Sequence, residues 1–281
     1  MANLSEQERL FNFRFNLHKT IFSIGVEDHD YAKLQEVYGV DSQWMQQTVS
    51  EFAQSNAQNA QQLKEECDLY ALSLKPLKIV FLGDSNTSNR QSYLNILKAA
   101  TVDYPQLQLI DKAVSGFKSG DLLTTIHPSV IDEHADIAHI MIGTNDFRRI
   151  ADAKKLYHTS PAEFEKNLDY VVSAFIKDGS RVILTTIPRF SKEKSDKHFA
   201  KSNGTFEEED RKLYNAIIEG IAYKYGAYLN KMDELFAQHT PEELTLPDGI
   251  HLCELGHGVL ARGVADSIVN LIGMEKQNPT Y

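Results

Sequence analysis

One serine in this sequence lies where a nucleophile would be useful. The apolar run at residues 79–82 leads into Gly83-Asp84-Ser85-Asn86, and apolar side chains then recur at helical spacing as far as residue 100. This pattern predicts a buried strand followed by a helix, with Ser85 on the turn between them. The free N–H groups at a helix N-terminus face developing negative charge. The local sequence alone favours an ordinary N-cap serine, so the assignment depends on the rest of the chain.

A serine hydroxyl needs a base to take its proton and a third group to hold that base. In Leu246-Pro247-Asp248-Gly249-Ile250-His251, a carboxylate precedes an imidazole by three residues, in a loop before the last predicted helix. This spacing lets Asp248 accept a hydrogen bond from Nδ1–H of His251, which leaves Nε2 for proton transfer. We interpret His257 as a packing or capping residue of the following helix. The other histidines have no convincing partner, and we interpret most as surface or helix-end residues: His18, His29, His127, His134, His139, His158, His198 and His239.

Two further segments follow predicted strands and carry groups that could bind an oxyanion. Gly116 lies in a glycine-containing turn within residues 111–120, which can aim backbone N–H groups at a ligand. Asn145, in Gly143-Thr144-Asn145-Asp146, offers a side-chain N–H of the kind that stabilises an oxyanion. Each residue also has a structural explanation, Gly116 as a turn residue and Asn145 as a helix cap.

The four blocks together occur in the order and contexts of the SGNH hydrolases, also called GDSL-type esterases, and the chain resembles this family over residues 77–272. The resemblance implies that Ser85 attacks an ester carbonyl, that His251 is the general base and then the general acid, and that Asp248 orients His251. It also implies an oxyanion hole made by the backbone N–H groups of Ser85 and Gly116 and the side-chain amide of Asn145. Such enzymes need no metal and no organic cofactor.

Three positions depart from the usual pattern of the family or need a separate role. Asp111 lies where an asparagine usually precedes the glycine of the second block, which puts the bracing of that loop in doubt. Asn86 follows the serine where leucine or isoleucine is frequent. We interpret Asp84 as a brace of the nucleophile loop and not as the acid of the triad. The Gly-x-Ser-x-Gly turn of α/β-hydrolases is absent at Ser85.

Strand and helix patterns alternate after Pro76, which predicts a parallel sheet covered by helices on both faces. Strands are predicted at residues 77–82, 107–111, 137–142, 181–187 and, weakly, 227–230; helices at residues 89–100, 161–177, 206–225 and 254–272. Residues 189–204 are predicted to form an irregular surface loop near the carboxyl edge of the sheet. The expected fold is therefore α/β, with a mainly five-stranded parallel sheet between helices, and the resemblance implies that it is a flavodoxin-like three-layer sandwich. Residues 76–281 are predicted to form the hydrolase domain, and residues before them an extension.

Residues 1–75 are predicted to form a mostly helical extension outside the resemblance. Alternation at Phe11, Phe13, Phe15 and Leu17 predicts a short strand, and Asp30 and Gly39 bound a brief helix. A long helix begins at residue 41 or 42 and ends before Pro76. Its stripe must pack on the main domain or on a second copy, which would make a homo-oligomer; the stripe comprises Met45, Val49, Phe52, Ala53, Ala57, Ala60, Leu63, Cys67, Tyr70, Ala71 and Leu74.

Charge and composition exclude several classes of partner. The net charge of −10 argues against a nucleic-acid binder and an electrostatic membrane anchor. Residues 34–45 loosely resemble a helix-turn-helix, but residues 1–75 hold six Lys/Arg against eleven Asp/Glu, so DNA binding is not predicted. The first residues lack the basic and apolar regions of a signal peptide, so none is predicted, and no apolar run approaches the length of about 20 residues that a membrane-spanning helix needs. Cys67 and Cys253 match no disulfide or zinc spacing, which favours a reducing, cytoplasmic location.

The sequence therefore predicts a serine esterase that hydrolyses small-molecule carboxylic esters through an acyl-Ser85 intermediate, without cofactor or metal. Two alternatives stay open. The same site could serve a carbohydrate O-acetyl esterase or an acetyltransferase. The chain could also be a catalytically idle binding protein whose N-terminal helix recruits a partner.

Overall fold

The computed structural model describes residues 4–20, 25–129, 131–150, 156–200 and 204–277. Its strands are β1 Leu77–Gly83, β2 Leu107–Asp111, β3 Ile137–Met141, β4 Arg149–Ile150, β5 Arg181–Thr185, β6 Gly204–Thr205 and β7 Tyr228–Asn230. Its α-helices are α1 Glu6–Arg14, α2 Tyr31–Tyr38, α3 Ser42–Glu66, α4 Ser85–Ser88, α5 Tyr93–Ala100, α6 Ser119–Ser129, α7 Pro161–Lys177, α8 Lys192–Phe199, α9 Glu208–Tyr225, α10 Met232–Leu235, α11 Pro241–Leu244 and α12 Glu254–Gln277.

Five parallel strands form the central sheet in the order β2-β1-β3-β5-β7, and this confirms the predicted fold class. The continuous apolar runs arise because both faces of the sheet are covered. Along β1, Ile79 and Phe81 pack into one core, while Val80 and Leu82 pack into a second core on the opposite face. The first core includes side chains of α5 and α12, and the second includes side chains of α7 and α9. All five strands end at one edge, where the candidate residues lie.

The predicted strand near the N-terminus is wrong, because this segment forms helix α1. Ser5 and Glu8 form a capping box, in which each side chain bonds to the backbone of the other residue. The helical phase places Phe11 and Phe15 on one side, with ring centroids 4.7 Å apart. Phe13 lies on the other side, in a cluster with residues of α2 and α3.

Helix α2 is confirmed, with Asp30 as its N-cap and Gly39 in the left-handed conformation after it. Helix α3 begins at Ser42 as predicted and ends at Glu66, well before Pro76. The stripe prediction is right at five positions that are buried: Met45, Phe52, Ala60, Leu63 and Cys67. It is wrong at Ala53, Ala57, Tyr70 and Leu74, which are exposed, while Thr48 and Ser55 are buried instead.

The buried stripe of α3 packs against α5 and α12 of the main domain, which is the first of its two predicted locations. Ala60, Leu63, Leu69 and Leu72 share one core with Leu77 of β1. The C-terminal part of the extension is therefore continuous with the core under the sheet. The division of the chain at residues 75 and 76 stays a prediction.

Several helical segments differ from expectation. The helix expected at residues 89–100 begins only at Tyr93, because Ser92 caps it, and α4 forms separately before it. Residues 189–204 are not wholly irregular, since α8 forms within them after the N-cap Ser191; residues 201–203 lie outside the described residues. Helix α6, at Ser119–Ser129, is not among the helices that the sequence predicts. Among the described helices, none has the length and apolar composition that crossing a membrane requires.

Candidate active site

Ser85 is the first residue of α4, directly after β1 and the N-cap Asp84. The turn is tight. A Cβ atom on Gly83 would lie 2.6 Å from the carbonyl oxygen of Met141 on the neighbouring strand, so only glycine fits there. Ser85 lies at the carboxyl edge of the sheet and is 8% exposed, so little of its surface is open to solvent.

His251 bridges Ser85 and Asp248 through its two ring nitrogens. The Ser85 hydroxyl lies 2.9 Å from Nε2, and Nδ1 lies 2.9 Å from Oδ2 of Asp248. The other carboxylate oxygen, Oδ1, accepts hydrogen bonds from the backbone N–H groups of Ile250 and His251, each at 2.9 Å. Burial alone would raise the pKa of Asp248, but these bonds and the nearby imidazole lower it to about 2. A carboxylate that stays ionised holds the proton on Nδ1 and leaves Nε2 able to accept one.

Asn86 joins the serine turn to the histidine loop, a contact that the sequence analysis did not predict. Its Oδ1 accepts a hydrogen bond from the backbone N–H of Leu252 at 2.9 Å, and the side chain is fully buried. The sequence did hold a signal for this contact, because Asn86 replaces the leucine or isoleucine that is frequent in the family, and a buried polar side chain needs a hydrogen-bond partner. The bond fixes the distance between the segments that carry Ser85 and His251.

Gly116 and Asn145 are brought next to each other by one hydrogen bond. Nδ2 of Asn145 donates to the carbonyl oxygen of Phe117 at 3.0 Å. An amide nitrogen carries two N–H groups, so the second can serve a ligand. Gly116 has φ +83°, a conformation that favours glycine. In the described parts of the chain, the backbone N–H groups of Ser85 and Gly116 donate to no protein acceptor.

Two aspartates brace the loop that carries Gly116. Asp146 accepts hydrogen bonds from the backbone N–H of Ser119 at 3.0 Å and from its hydroxyl at 2.6 Å, which ties the start of α6 to the segment after β3. Asp111, the unusual residue of the second block, accepts from the N–H of Ala113 at 2.9 Å and from Nζ of Lys19 at 2.9 Å. The departure at Asp111 therefore leaves the loop braced and adds a link to the N-terminal segment.

Asp84 braces the serine turn from a buried position. It is 1% exposed, and its Oδ1 accepts a hydrogen bond from the N–H of Asn86 at 3.0 Å. Burial raises the pKa of Asp84 from 3.8 to about 6, although hydrogen bonds from Asn86 and Thr144 act in the opposite direction. The folded protein thus favours the neutral carboxyl group at mildly acidic pH.

This raised pKa predicts a pH-dependent stability. Between about pH 4 and pH 6 the unfolded chain has lost the Asp84 proton and the folded chain keeps it, so the free energy of unfolding falls as the pH rises. The loss approaches about 3 kcal/mol, since each pKa unit corresponds to about 1.4 kcal/mol. Urea unfolding between pH 4 and 7 should show the wild type losing stability relative to Asp84→Asn, which cannot ionise. The same pH dependence in both proteins would contradict the assignment.

Two buried histidines correct the sequence interpretation. His139 is fully buried in β3, with Nε2 2.9 Å from Oγ1 of Thr185, and His18 is 3% exposed with Nδ1 2.7 Å from the Tyr38 hydroxyl. Both were unrecognisable because their partners are distant in sequence. His257 is fully buried, with Nε2 3.1 Å from Nδ2 of Asn89, which confirms its packing role. Burial lowers the pKa of His257 and of His139 to about 3.

Two aromatic side chains that the sequence analysis missed lie against the catalytic candidate His251. The ring centroid of Phe15 is 4.2 Å from that of the imidazole, and the centroid of Phe11 is 5.8 Å away in an edge-on arrangement. Both belong to the N-terminal segment. Within the described ranges, no group of three or more His, Cys, Asp or Glu side chains could hold a metal ion.

The sequence matches the model of the GDSL-like Lipase/Acylhydrolase family over residues 81–259, a range that contains every candidate site residue. No curated protein sequence matches the chain. Among solved structures, LAE5, an α/β hydrolase enzyme from the metagenome of Lake Arreo in Spain, is similar with a TM-score of 0.58 and 23% identity, over 70% of this chain and 97% of that chain. Axe2, an acetylxylan esterase from Geobacillus stearothermophilus, is similar with a TM-score of 0.57 and 22% identity, over 70% of this chain and 96% of that chain.

A third structure, the acetyl xylan esterase AlAXEase, gives a TM-score of 0.55 and 24% identity, over 69% of this chain and 99% of that chain. At these identities the likeness shows a shared fold. The other proteins are covered almost completely, whereas this chain has additional residues, and the family match begins only after the N-terminal segment. Because that match spans more than half of the sequence, the chain is an ester-hydrolysing enzyme that belongs to the GDSL-like lipase/acylhydrolase family.

Proposed function

We propose that the chain hydrolyses carboxylic esters through an acyl-Ser85 intermediate. The observation that carries the proposal is the continuous hydrogen-bond chain from Ser85 through His251 to Asp248, with 2.9 Å at both links. Such a chain lets the imidazole take the serine proton while the carboxylate stabilises the imidazolium that forms. An oxyanion hole next to the serine is supported by two kinds of donor. The backbone N–H groups of Ser85 and Gly116 have no protein acceptor among the described residues, and the side-chain amide of Asn145 is held in place by its hydrogen bond to Phe117.

In the first half of the reaction, Oγ of Ser85 bonds to the ester carbonyl carbon while its proton passes to Nε2 of His251. The carbonyl oxygen becomes an oxyanion, which the three N–H donors stabilise. The tetrahedral intermediate then breaks its bond to the alcohol oxygen, and that oxygen takes the proton from His251. In the second half, water attacks the carbonyl carbon of acyl-Ser85 and gives a proton to Nε2 of His251. The second tetrahedral intermediate then breaks its bond to Oγ of Ser85, which takes that proton back from His251, and the carboxylic acid is released.

A fluorophosphonate probe tests the nucleophile directly. We expect stoichiometric phosphonylation of the wild-type protein, located by mass spectrometry on the peptide that contains Ser85, and no labelling of Ser85→Ala. The reason is that only a serine activated by a base attacks the phosphorus centre at neutral pH. An unlabelled wild type, or a label on another residue, would refute the proposed nucleophile and would favour the idle binding protein.

The same acyl-enzyme could deliver its acyl group to an alcohol in place of water, or act on acetylated carbohydrates. Product analysis with and without an alcohol acceptor separates hydrolysis from transfer, and acetate release from acetylated xylooligosaccharides tests the sugar substrate. A reducing, cytoplasmic location is proposed as well, supported by Cys67 and Cys253, which are both free.

A further inference from the structure

The N-terminal segment lies outside the family match, yet it covers one side of the candidate site. Phe15 is 1% exposed, and its ring is tilted by 36° against the imidazole of His251. Phe11 is 37% exposed and meets the same imidazole edge-on, with 75° between the ring planes. One side of the proposed general base is thus covered by two aromatic rings from α1 and the residue that follows it.

The backbone around these rings is fastened to the loops that carry the site. The carbonyl oxygen of Arg14 accepts a hydrogen bond from the N–H of Arg90 at 2.9 Å, and the guanidinium Nε of Arg90 donates to Phe13 at 3.0 Å. Nδ2 of Asn16 donates to the carbonyl oxygen of Ser88 at 2.8 Å. The position of α1 is therefore set by the serine turn and by the residues directly after it.

A further bond fixes the segment to the loop of Gly116, because the hydroxyl of Ser115 donates to the carbonyl oxygen of Phe15. Lys19 adds an ion pair with Asp111 at 2.9 Å, and its ammonium also lies 2.8 Å from Asp28. These contacts hold the N-terminal segment as one wall of the site, because it is hydrogen-bonded both to the residues after Ser85 and to the loop of Gly116.

A groove of about 710 Å³ lies between α1 and the loop that leads to the histidine. This volume falls within the range of about 300–1,000 Å³ that is typical of ligand pockets. Asp248 of the proposed triad lines the groove, and so do Phe11 and Phe15, the two rings that lie against the imidazole of His251. Its apolar lining is contributed by both walls: Leu10, Phe11, Phe15, Leu246 and Pro247. Glu8 also lines the groove, but its carboxylate is engaged by Ser5 in the capping box.

The reaction geometry indicates which half of an ester this groove can hold. His251 gives its proton to the alcohol oxygen as that oxygen leaves, so the alcohol must lie on the imidazole side of Ser85. The acyl carbonyl must lie on the other side, toward the donors of Gly116 and Asn145. Phe11 and Phe15 lie against the imidazole itself, so they are on the side of Ser85 where the leaving alcohol is expected.

We propose that the groove between α1 and residues 246–248 binds the apolar part of the alcohol half of the substrate, and that Phe11 determines the preference for bulky apolar alcohols. The proposal rests on the proposed function, since it uses His251 as the proton donor to the leaving group. Phe11 is the ring that remains accessible, and its removal would leave Phe15 in place against the imidazole. The N-terminal extension thereby adds a specificity-determining wall to a family site.

The test compares two series of esters on wild type, Phe11→Ala and the matched control Tyr223→Ala, whose aromatic side chain on α9 is 92% exposed. Methyl, butyl and hexyl acetate vary the alcohol, with acid release followed in a pH-stat. p-Nitrophenyl acetate, butyrate and octanoate vary the acyl chain. For Phe11→Ala we expect kcat/KM for hexyl acetate to fall about tenfold, while that for methyl acetate changes less than twofold. The ratios within the acyl series and all values for Tyr223→Ala should stay at wild-type level.

An equal loss for methyl and hexyl acetate would overturn the proposal, because Phe11 would then only position His251. A change in the acyl-series ratios with an unchanged alcohol series would also overturn it and would place the acyl chain in the groove. Acetylated xylooligosaccharides cleaved far better than hexyl acetate, with no effect of Phe11→Ala, would exclude an apolar alcohol. Failure of the serine mechanism is a separate result, since it would appear as hydrolysis by Ser85→Ala whatever the outcome at Phe11.

Discussion

Replacement of Ser85 by alanine is expected to lower kcat for a short p-nitrophenyl ester by about 10⁴-fold or more, with the fold intact. In the proposed mechanism the hydroxyl supplies the atom that bonds to the carbonyl carbon, and among the described residues no other group is hydrogen-bonded to Nε2 of His251. The side chain is small and its neighbours stay in place, so the thermal unfolding temperature should change little. Steady-state kinetics and a thermal melt on the same preparation measure both quantities.

Ser88 provides a matched control on the same short helix. It is buried to nearly the same degree, but its hydroxyl has no hydrogen-bond partner among the described residues. Ser88→Ala should therefore keep wild-type kcat. Wild-type rates for Ser85→Ala would refute the acyl-Ser85 mechanism, and comparable losses in both variants would show that the effect comes from disturbance of the turn.

Replacement of Asp248 by asparagine is expected to lower kcat by about 10³- to 10⁴-fold, because it reverses the tautomer of His251. The backbone N–H groups of Ile250 and His251 both bond to Oδ1, and they would hold the amide oxygen of the asparagine in that place. The amide nitrogen would then face Nδ1, which could only accept. The ring proton would move to Nε2, and Nε2 could no longer take the proton of Ser85.

The wild-type carboxylate keeps the proton on Nδ1 of His251, because a pKa of about 2 leaves Asp248 ionised at neutral pH. Kinetics on the same short ester measure the effect, and Asp169→Asn serves as the control because Asp169 pairs with Lys224 on the surface. A loss in kcat for Asp248→Asn of less than tenfold would contradict the assigned role. We do not expect another proton acceptor to restore the activity of Asp248→Asn, because the two backbone hydrogen bonds to residue 248 fix the orientation of its amide.

The local sequence determined much of the main domain. Strand β1 was predictable because residues 77–83 are apolar almost without interruption, as a strand buried on both faces must be. Helix α2 was predictable because Asp30 and Gly39 satisfy the free groups at its two ends. Ser85, Gly116, Asn145 and the Asp248/His251 pair could be named as candidates because each follows a strand or precedes a helix.

Only the tertiary structure decided how the N-terminal segment relates to this site. The alternation of Phe11, Phe13 and Phe15 is compatible with a strand, but it also fits a helix in which positions 11 and 15 share one side. The segment is a helix because each of its sides is covered by a different partner. Phe13 packs into the cluster with α2 and α3, and Phe15 packs against His251. Sequence periodicity reports that a side chain is buried, but the partner that buries it is set by packing between distant segments. For that reason the candidate catalytic residues could be read from the chain, whereas the wall that Phe11 and Phe15 build beside them could not.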